Sequence, residues 1–300
     1  MSDLLRMPVH PPYQTFPRDD KSSSALLTNP WIYFAVTFLW TWLFWGIGIL
    51  LNVSMETPVG GILLLLGVLG PLVTGISFTY LTKNRAGQRD YWLRIVDVRR
   101  IGWTWLLTLL LFVPMLNGLA ALLDFLLGGA GAVWGETLVN AATNPLGLIF
   151  SALFATLIPL MEELGWRGYV LDRLQSTHSA LVASLILGVV WSLWHLPLFF
   201  VAGSYQAGLG VGTPAFWLFL IGIVPLSFAF TWIYNNTSRS ILAVILFHGM
   251  VNFTGELFDI TERANTISIG LWIIAAIGIT LIWGAQTLRG DTRRAIHETT

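Results

Sequence analysis

Eight long apolar stretches dominate this chain and restrict what it can fold into. A helix needs about 20 mostly apolar residues to cross the ~30 Å hydrocarbon core of a bilayer. Within lipid, backbone polar groups must be satisfied inside each segment, and these stretches are too long and non-alternating for barrel strands, so each is predicted to be a helix. The predicted spans run from Trp31 to Leu51, Val59 to Leu81, Trp103 to Leu127, Leu146 to Leu164, Val182 to Val201, Ala215 to Tyr234, Ile241 to Phe258 and Ile267 to Leu288.

The composition agrees with a membrane protein. Of the 300 residues, 55% are hydrophobic and only 11% are charged, whereas soluble domains carry about 25% charged residues. We therefore predict an all-α polytopic protein with one transmembrane domain over residues 30–288, a catalytic core at about 146–258, and polar tails at 1–29 and 289–300. The net charge of zero argues against a nucleic-acid partner. The absence of cysteine excludes disulfides and thiolate sites.

The basic residues predict how the chain is oriented. Cytoplasmic connections of membrane proteins are enriched in Lys and Arg. With eight spans, every Lys and Arg except Arg263 falls on the side of the two termini. Both termini are therefore predicted to be cytoplasmic. The basic residues on that side are Arg6, Arg18, Lys21, Lys83, Arg85, Arg89, Arg94, Arg99, Arg100, Arg167, Arg173, Arg239, Arg289, Arg293 and Arg294.

Two adjacent carboxylates, Glu162 and Glu163, follow the apolar run of the fourth span. Ionisable groups at membrane depth are functional candidates, because a charge in the bilayer costs ~3 kcal/mol or more. Glu163 and Arg167 have the i, i+4 spacing of a helical ion pair, which leaves Glu162 aimed elsewhere and suitable as a general base. The alternative is that both glutamates simply lie at the cytoplasmic interface beside Arg167.

Two histidines also lie within apolar spans. His195 follows Trp191 by four residues, and His248 precedes Asn252 by four. Imidazole exchanges protons near neutral pH, and imidazole and carboxamide groups can donate hydrogen bonds to a developing oxyanion. Taken singly, His195 is better explained as a hydrogen-bonded packing residue, and His248 with Asn252 as interhelical hydrogen bonding.

Taken together, the three motifs predict a hydrolytic site. They supply a base, a second proton-transfer group and oxyanion donors, and the absence of an evident serine or cysteine nucleophile favours an activated water. Straight helices would place Glu162 near the cytoplasmic end and His195 much deeper. We therefore expect helix tilt to bring them together around a water-filled cavity that opens towards the cytoplasm or laterally.

The order Glu-Glu-x-x-x-Arg, aromatic-x-x-x-His and His-x-x-x-Asn resembles the CAAX protease and bacteriocin-processing (CPBP, or Abi) family, which includes the Ras-converting CAAX endopeptidase. The resemblance covers roughly Leu146 to Phe258. It implies an intramembrane endopeptidase with eight helices, in which Glu162 activates water and His195 assists it. The aromatic residue that opens the second motif is usually phenylalanine, and here it is Trp191.

By the same resemblance, His248 and Asn252 would stabilise the oxyanion, and Glu163 and Arg167 would be supporting residues. The family is labelled metalloprotease, so Glu162, His195 and His248 would be the ligands if a metal such as zinc is bound. A metal-free, glutamate-activated water is equally consistent with these residues.

The expected partners are a peptide or protein substrate, lipidated or membrane-embedded, and the lipid bilayer. The expected location is the bacterial plasma (inner) membrane, with the protein as an integral multi-pass component. The alternatives are a non-catalytic immunity or peptide-binding membrane protein, and a small proton-coupled transporter that uses Glu162 and His195 as a relay.

Overall fold

The computed structural model describes residues 25–290; of the predicted tails at 1–29 and 289–300, residues 1–24 and 291–300 lie outside it. The described chain is a helical bundle. Its helices are α1 Ala25–Thr28, α2 Pro30–Leu50, α3 Pro58–Thr82, α4 Arg85–Val96, α5 Trp103–Leu126, α6 Glu136–Val139, α7 Pro145–Gly165, α8 Leu171–Gln175, α9 Ala180–Trp194, α10 Tyr205–Leu209, α11 Pro214–Asn236, α12 Ile241–Leu257 and α13 Glu262–Trp283.

Short elements complete the fold. Two 3₁₀ turns, Val98–Arg100 and Leu196–Phe200, follow α4 and α9, and a π-helical turn, Trp166–Val170, joins α7 to α8. Strands β1 Ala132–Trp134 and β2 Phe258–Ile260 pair antiparallel. The strands link the segment after α5 to the end of α12.

Several long helices begin at a polar capping residue followed by proline. Asn29, Thr57, Asn144 and Thr213 each accept a hydrogen bond from the first turn of their helix. A side-chain cap satisfies an orphan N–H, and proline at the first helical position lacks the N–H that would otherwise be unpaired. These pairs account for helix starts within one residue of the predicted ones.

Seven of the described helices are long and apolar enough to cross a membrane. They confirm the all-helical membrane architecture. The remaining predicted span, Ile241 to Phe258, corresponds to α12, which is apolar but only 17 residues long. The structure therefore does not confirm eight full crossings.

The α-helix of the fourth span ends at Gly165, one residue beyond the predicted Leu164, but helical structure does not stop there. The helix continues through the π-helical turn and α8 as far as Gln175. At 1.5 Å per residue, Glu162 lies roughly 20 Å from that end. Gln175 and Ala180 flank one short turn, so His195, just past the end of α9, lies at a similar depth. By this count, the two residues would come level even if both helices were straight.

Helix α12 begins inside the bundle. Ile241 is fully buried and packs beside Gly168, which lies roughly 10 Å before Gln175. Because α12 starts at that recessed level, His248, two turns along it, also reaches the depth of Glu162. The short length of α12 follows from this recessed start.

A buried ionic cluster fills the space beneath α12. Arg94 donates to the Gly168 carbonyl at 3.0 Å and to Asp172 at 3.1 Å, and the Tyr234 hydroxyl donates to Asp172 at 2.8 Å. Arg239 also pairs with Asp172. These contacts bring three of the basic connections together at one end of the bundle, called the basic end below. That this end faces the cytoplasm stays a prediction.

Arg263, the basic residue that falls on the opposite side in the predicted topology, pairs with buried Asp124. This pair joins the start of α13 to the end of α5. Along the same two helices, Ser268 donates to Asn117 at 2.9 Å. Asn117 and Asp124 of α5 therefore both serve helix–helix contacts with α13.

Helices α3 and α7 approach each other closely at two glycines. A Cβ on Gly75 would lie 2.7 Å from the Gly165 Cα, and a Cβ on Gly165 would contact the Pro71 carbonyl and the Tyr33 hydroxyl. Small residues let helix backbones pack in van der Waals contact where lipid provides no hydrophobic drive for association. The contact lies directly after the two glutamates and helps to set their position.

We predict that Gly75→Ala lowers the free energy of unfolding by about 1–3 kcal/mol, because the new methyl group overpacks the α3–α7 contact. Gly278→Ala is the matched control, because a Cβ there meets no heavy atom within 4 Å. Its melting temperature in detergent should stay equal or rise, since alanine favours a helix by up to ~1 kcal/mol. Equal melting temperatures for the two variants would contradict the close packing.

Candidate active site

The adjacent glutamates point in different directions and are both buried. Glu162 is 4% exposed and Glu163 is 0% exposed. Neighbouring residues on a helix diverge by about 100°, so the two carboxylates have separate surroundings. Arg167 is also fully buried, so these three side chains lie inside the bundle and not on its surface.

Glu163 holds two partners at once. Its carboxylate accepts hydrogen bonds from Arg167 Nη1 at 2.9 and 3.0 Å, which confirms the predicted i, i+4 ion pair. The Glu163 Oε1 atom also lies 2.9 Å from His248 Nδ1. A carboxylate oxygen only accepts, so Nδ1 carries the proton. The sequence analysis did not predict this second contact.

Aromatic rings complete the surroundings of Arg167. Its guanidinium carbon lies 4.8 Å from the Trp191 ring centroid and 4.2 Å from that of Phe230. The Nε and Nη2 atoms of Arg167 have no hydrogen-bond partner among the described residues. Cation–π attraction is stronger in desolvated surroundings and partly replaces those bonds.

His195 lies immediately after the last residue of α9, where Pro197 and a 3₁₀ turn end the regular helix. Its Nδ1 lies 2.8 Å from the Trp191 carbonyl oxygen. Since a carbonyl only accepts, Nδ1–H donates, and in the neutral ring Nε2 is left with a free lone pair. The chain turn therefore selects one tautomer of His195.

Trp191 connects the two halves of the site. Its indole Nε1 donates to Glu162 Oε2 at 2.7 Å. Its ring centroid lies 5.2 Å from that of His248 and 5.9 Å from that of His195. Glu162 and both histidines thus surround one side chain, as the shared-site prediction requires.

A cavity of about 300 Å³ lies against these groups. Glu162, His195, His248 and Asn252 all contribute to its lining, so the structure brings together the four residues predicted to be catalytic. Asn252 is one turn beyond His248 on α12, and its Nδ2 donates to the Ala155 carbonyl at 3.3 Å. The supporting pair, Glu163 and Arg167, lies behind this wall.

The cavity does not extend towards the basic end. Below Glu162 and His248, the bundle is filled by fully buried Arg167, Phe230 and Tyr234. In the other direction, the lining reaches Tyr205 and Gln206 of α10, in the connection between α9 and α11. Tyr205 is 69% exposed. The expected opening at the basic, predicted cytoplasmic end is therefore not seen.

Glu162, His195 and His248, the expected metal ligands, line one cavity. Among residues 25–290, no three His, Asp or Glu side chains form an assembled group that could hold a metal. The Nδ1 atoms of His195 and His248 are engaged with a carbonyl and with Glu163, which leaves the Nε2 atom of each ring as the potential ligand. Tetrahedral zinc sites need three protein ligands converging at 2.0–2.2 Å on one point.

The sequence analysis missed the donor role of Trp191 and the enclosing ring of Phe230. From the motif alone, Trp191 was expected only to supply the aromatic residue four positions before His195. A usable signal was present, because a buried tryptophan usually finds an acceptor for its indole N–H. Phe230 carried no signal, because its place beside Arg167 depends on how α11 packs.

Together, the bundle and its buried acid–histidine cavity define a multi-pass membrane protein with a hydrolase-like site. The profile of the type II CAAX prenyl endopeptidase Rce1-like family matches residues 143–254. The chain is also 31% identical over 270 residues to CAAX prenyl protease 2 of Methanococcus maripaludis, covering 86% of this chain and 95% of that relative. The chain belongs to the Rce1-like CAAX prenyl protease family.

We predict that Glu163→Ala costs about 3–5 kcal/mol of stability, because it leaves the buried Arg167 charge without its partner. Thermal unfolding in detergent measures the effect. Glu256→Ala is the matched control, since Glu256 is exposed on the last turn of α12, and it should change stability by less than ~0.5 kcal/mol. A Glu163→Ala protein as stable as the control would show that the ion pair does not support the fold.

Proposed function

We propose that this chain is an intramembrane endopeptidase of the CAAX type. The observation that carries the proposal is the convergence of Glu162, His195 and His248 on one cavity, around Trp191, within the apolar bundle. Family membership supports a peptide hydrolase. The reaction is addition of water to a peptide carbonyl, followed by cleavage of its C–N bond.

Glu162 is the proposed general base. One of its oxygens accepts from Trp191, and the other makes no hydrogen bond to any described residue. A water bound there would face a carboxylate oxygen and, across the cavity, the free Nε2 lone pair of His195. The water oxygen bonds to the carbonyl carbon as its proton passes to Glu162. Glu162 then delivers that proton to the departing amine.

His248 and Asn252 are the proposed oxyanion donors. Because His248 Nδ1–H is directed at Glu163, only the imidazolium form has a second N–H, on Nε2, for the developing oxyanion. The Glu163 carboxylate lies beside that positive charge. One turn further along α12, the Asn252 amide supplies a second donor. Preorganised donors of this kind are worth ~3–4 kcal/mol each in a transition state.

Two carboxylates, Glu162 and Glu163, lie beside one guanidinium, Arg167, and one imidazole, His248, within one buried cluster. Pairing of acidic with basic groups limits the cost of desolvating them. A metal would add charge that this arrangement does not need. We therefore propose that the water is activated without a metal.

The proposed substrate is a prenylated C-terminal peptide, because the relative is named a CAAX prenyl protease. The cavity lining suits aliphatic side chains and a lipid-linked chain, with Trp45, Phe219 and Leu226 among its walls. The proposed location remains the plasma membrane, and the substrate is proposed to enter from the lipid at the end of the bundle where α10 lies. The cavity lining supports this direction of entry, because it reaches α10.

We predict that Glu162→Gln and His248→Ala each lower kcat for an internally quenched farnesylated CAAX peptide by at least about 100-fold. Glutamine keeps the size of Glu162 and removes its basicity, so the protein should stay folded. The control is Glu256→Gln, on the exposed last turn of α12, which should retain full activity. Cleavage by the Glu162→Gln protein at the wild-type rate would exclude Glu162 as the base. If the wild-type protein binds the peptide without cleaving it, the result would indicate a non-catalytic peptide-binding role.

We also predict that dialysis of the purified protein against EDTA or 1,10-phenanthroline leaves the cleavage rate within about 2-fold of its starting value, since no donor trio is assembled. A known zinc protease treated in parallel confirms that the chelator works. Loss of activity that returns on adding zinc would overturn the metal-free mechanism.

A further inference from the structure

Trp191 makes a buried polar contact with the proposed base, Glu162. Its side chain is 2% exposed, and its indole N–H donates to Glu162 at 2.7 Å. Among the described residues, this is the only hydrogen bond that the Glu162 side chain makes. Without it, neither oxygen of this buried carboxylate would have a hydrogen-bond partner among the described residues.

The contact depends on the indole N–H of Trp191. In the motif that the sequence resembles, phenylalanine is the usual aromatic residue at this position, and a phenyl ring has no hydrogen-bond donor. Tryptophan keeps an aromatic surface four residues before His195 and adds one N–H. The extra donor points at the carboxylate assigned as the base.

The same residue also contacts the other members of the site. Its backbone carbonyl accepts from His195 Nδ1 at 2.8 Å. Its ring faces the Arg167 guanidinium at 4.8 Å and meets the His248 ring edge-on, at an interplanar angle of 81°. A shift of Trp191 would therefore move Glu162 and His195 relative to each other.

We infer that Trp191 is a positioning residue for the reaction. Its indole N–H holds one oxygen of Glu162 and so directs the other towards the cavity and the water. Its carbonyl simultaneously fixes the tautomer of His195. This inference rests on the proposed function, because it assumes that Glu162 is the base.

Two replacements of Trp191 test the inference. Trp191→Phe removes the donor and part of the ring. Site-specific replacement by 3-benzothienylalanine keeps the ring shape and exchanges only the N–H for sulfur. Each should lower kcat for the farnesylated CAAX peptide about 10-fold or more, because a charge-assisted hydrogen bond is lost. The benzothienylalanine protein keeps the ring that lines the cavity, so its KM should change less than about 2-fold.

Trp232 provides the matched control. It is a buried tryptophan on α11, and its indole nitrogen has no hydrogen-bond partner among the described residues. Trp232→Phe removes the same atoms away from the cavity, and kcat should stay within about 2-fold of wild type. A lower melting temperature shared by both phenylalanine variants would report only lost packing.

A spectroscopic measurement tests the contact without relying on activity. In protein labelled with ¹⁵N at its tryptophan indoles, the Trp191 signal is the one lost in Trp191→Phe. Glu162→Gln replaces the charged acceptor by a neutral one, so that signal should move upfield, while the Trp232 signal stays in place.

The outcomes separate the two hypotheses. An inactive Glu162→Gln protein together with full kcat in the benzothienylalanine protein would overturn the positioning role alone. An unmoved Trp191 signal in Glu162→Gln would overturn the hydrogen bond itself. Full activity of Glu162→Gln would refute the proposed function, whatever the Trp191 variants do.

Discussion

The Glu163 carboxylate, shared between Arg167 and His248, is the interaction on which the site depends. Charges within an apolar bundle persist only when paired and hydrogen-bonded, since an unpaired ion costs several kcal/mol. The Glu163 carboxylate pairs with an arginine four residues further along its own helical segment and with a histidine on another helix. The pair therefore ties α12 to α7 and fixes the depth at which they meet.

The backbone then makes that meeting possible. Continuation of α7 through its π-helical turn carries Glu162 well away from the basic end, and α12 starts inside the bundle on top of the Asp172 cluster. π-Helical turns often occur at functional sites, where they rotate the flanking residues relative to each other. Here the turn follows directly after the close contact of Gly165 with α3.

Aromatic side chains replace water around these charges. Trp191 and Phe230 cover Arg167, and Trp194 meets His195 edge-on with ring centroids 4.9 Å apart. Large rings have few rotamers and bury much area, so they hold charged neighbours in one arrangement. A rigid, partly dry site is suited to a reaction in which one water must be oriented between a base and a carbonyl.

The sequence by itself determined the membrane class, most helix starts and which residues are candidates for the site. Apolar length, proline caps and three spaced polar motifs are local signals that need no knowledge of packing. It also determined the Glu163–Arg167 pair, since both lie on one helix. Only the tertiary structure decided that the helical segment begun by α7 continues to Gln175 and that α12 begins at a recessed level. It also decided that Glu163 reaches His248 and that Trp191 donates to Glu162. These features depend on contacts between segments 29 to 85 residues apart in the chain, and helical periodicity carries no information on such distances.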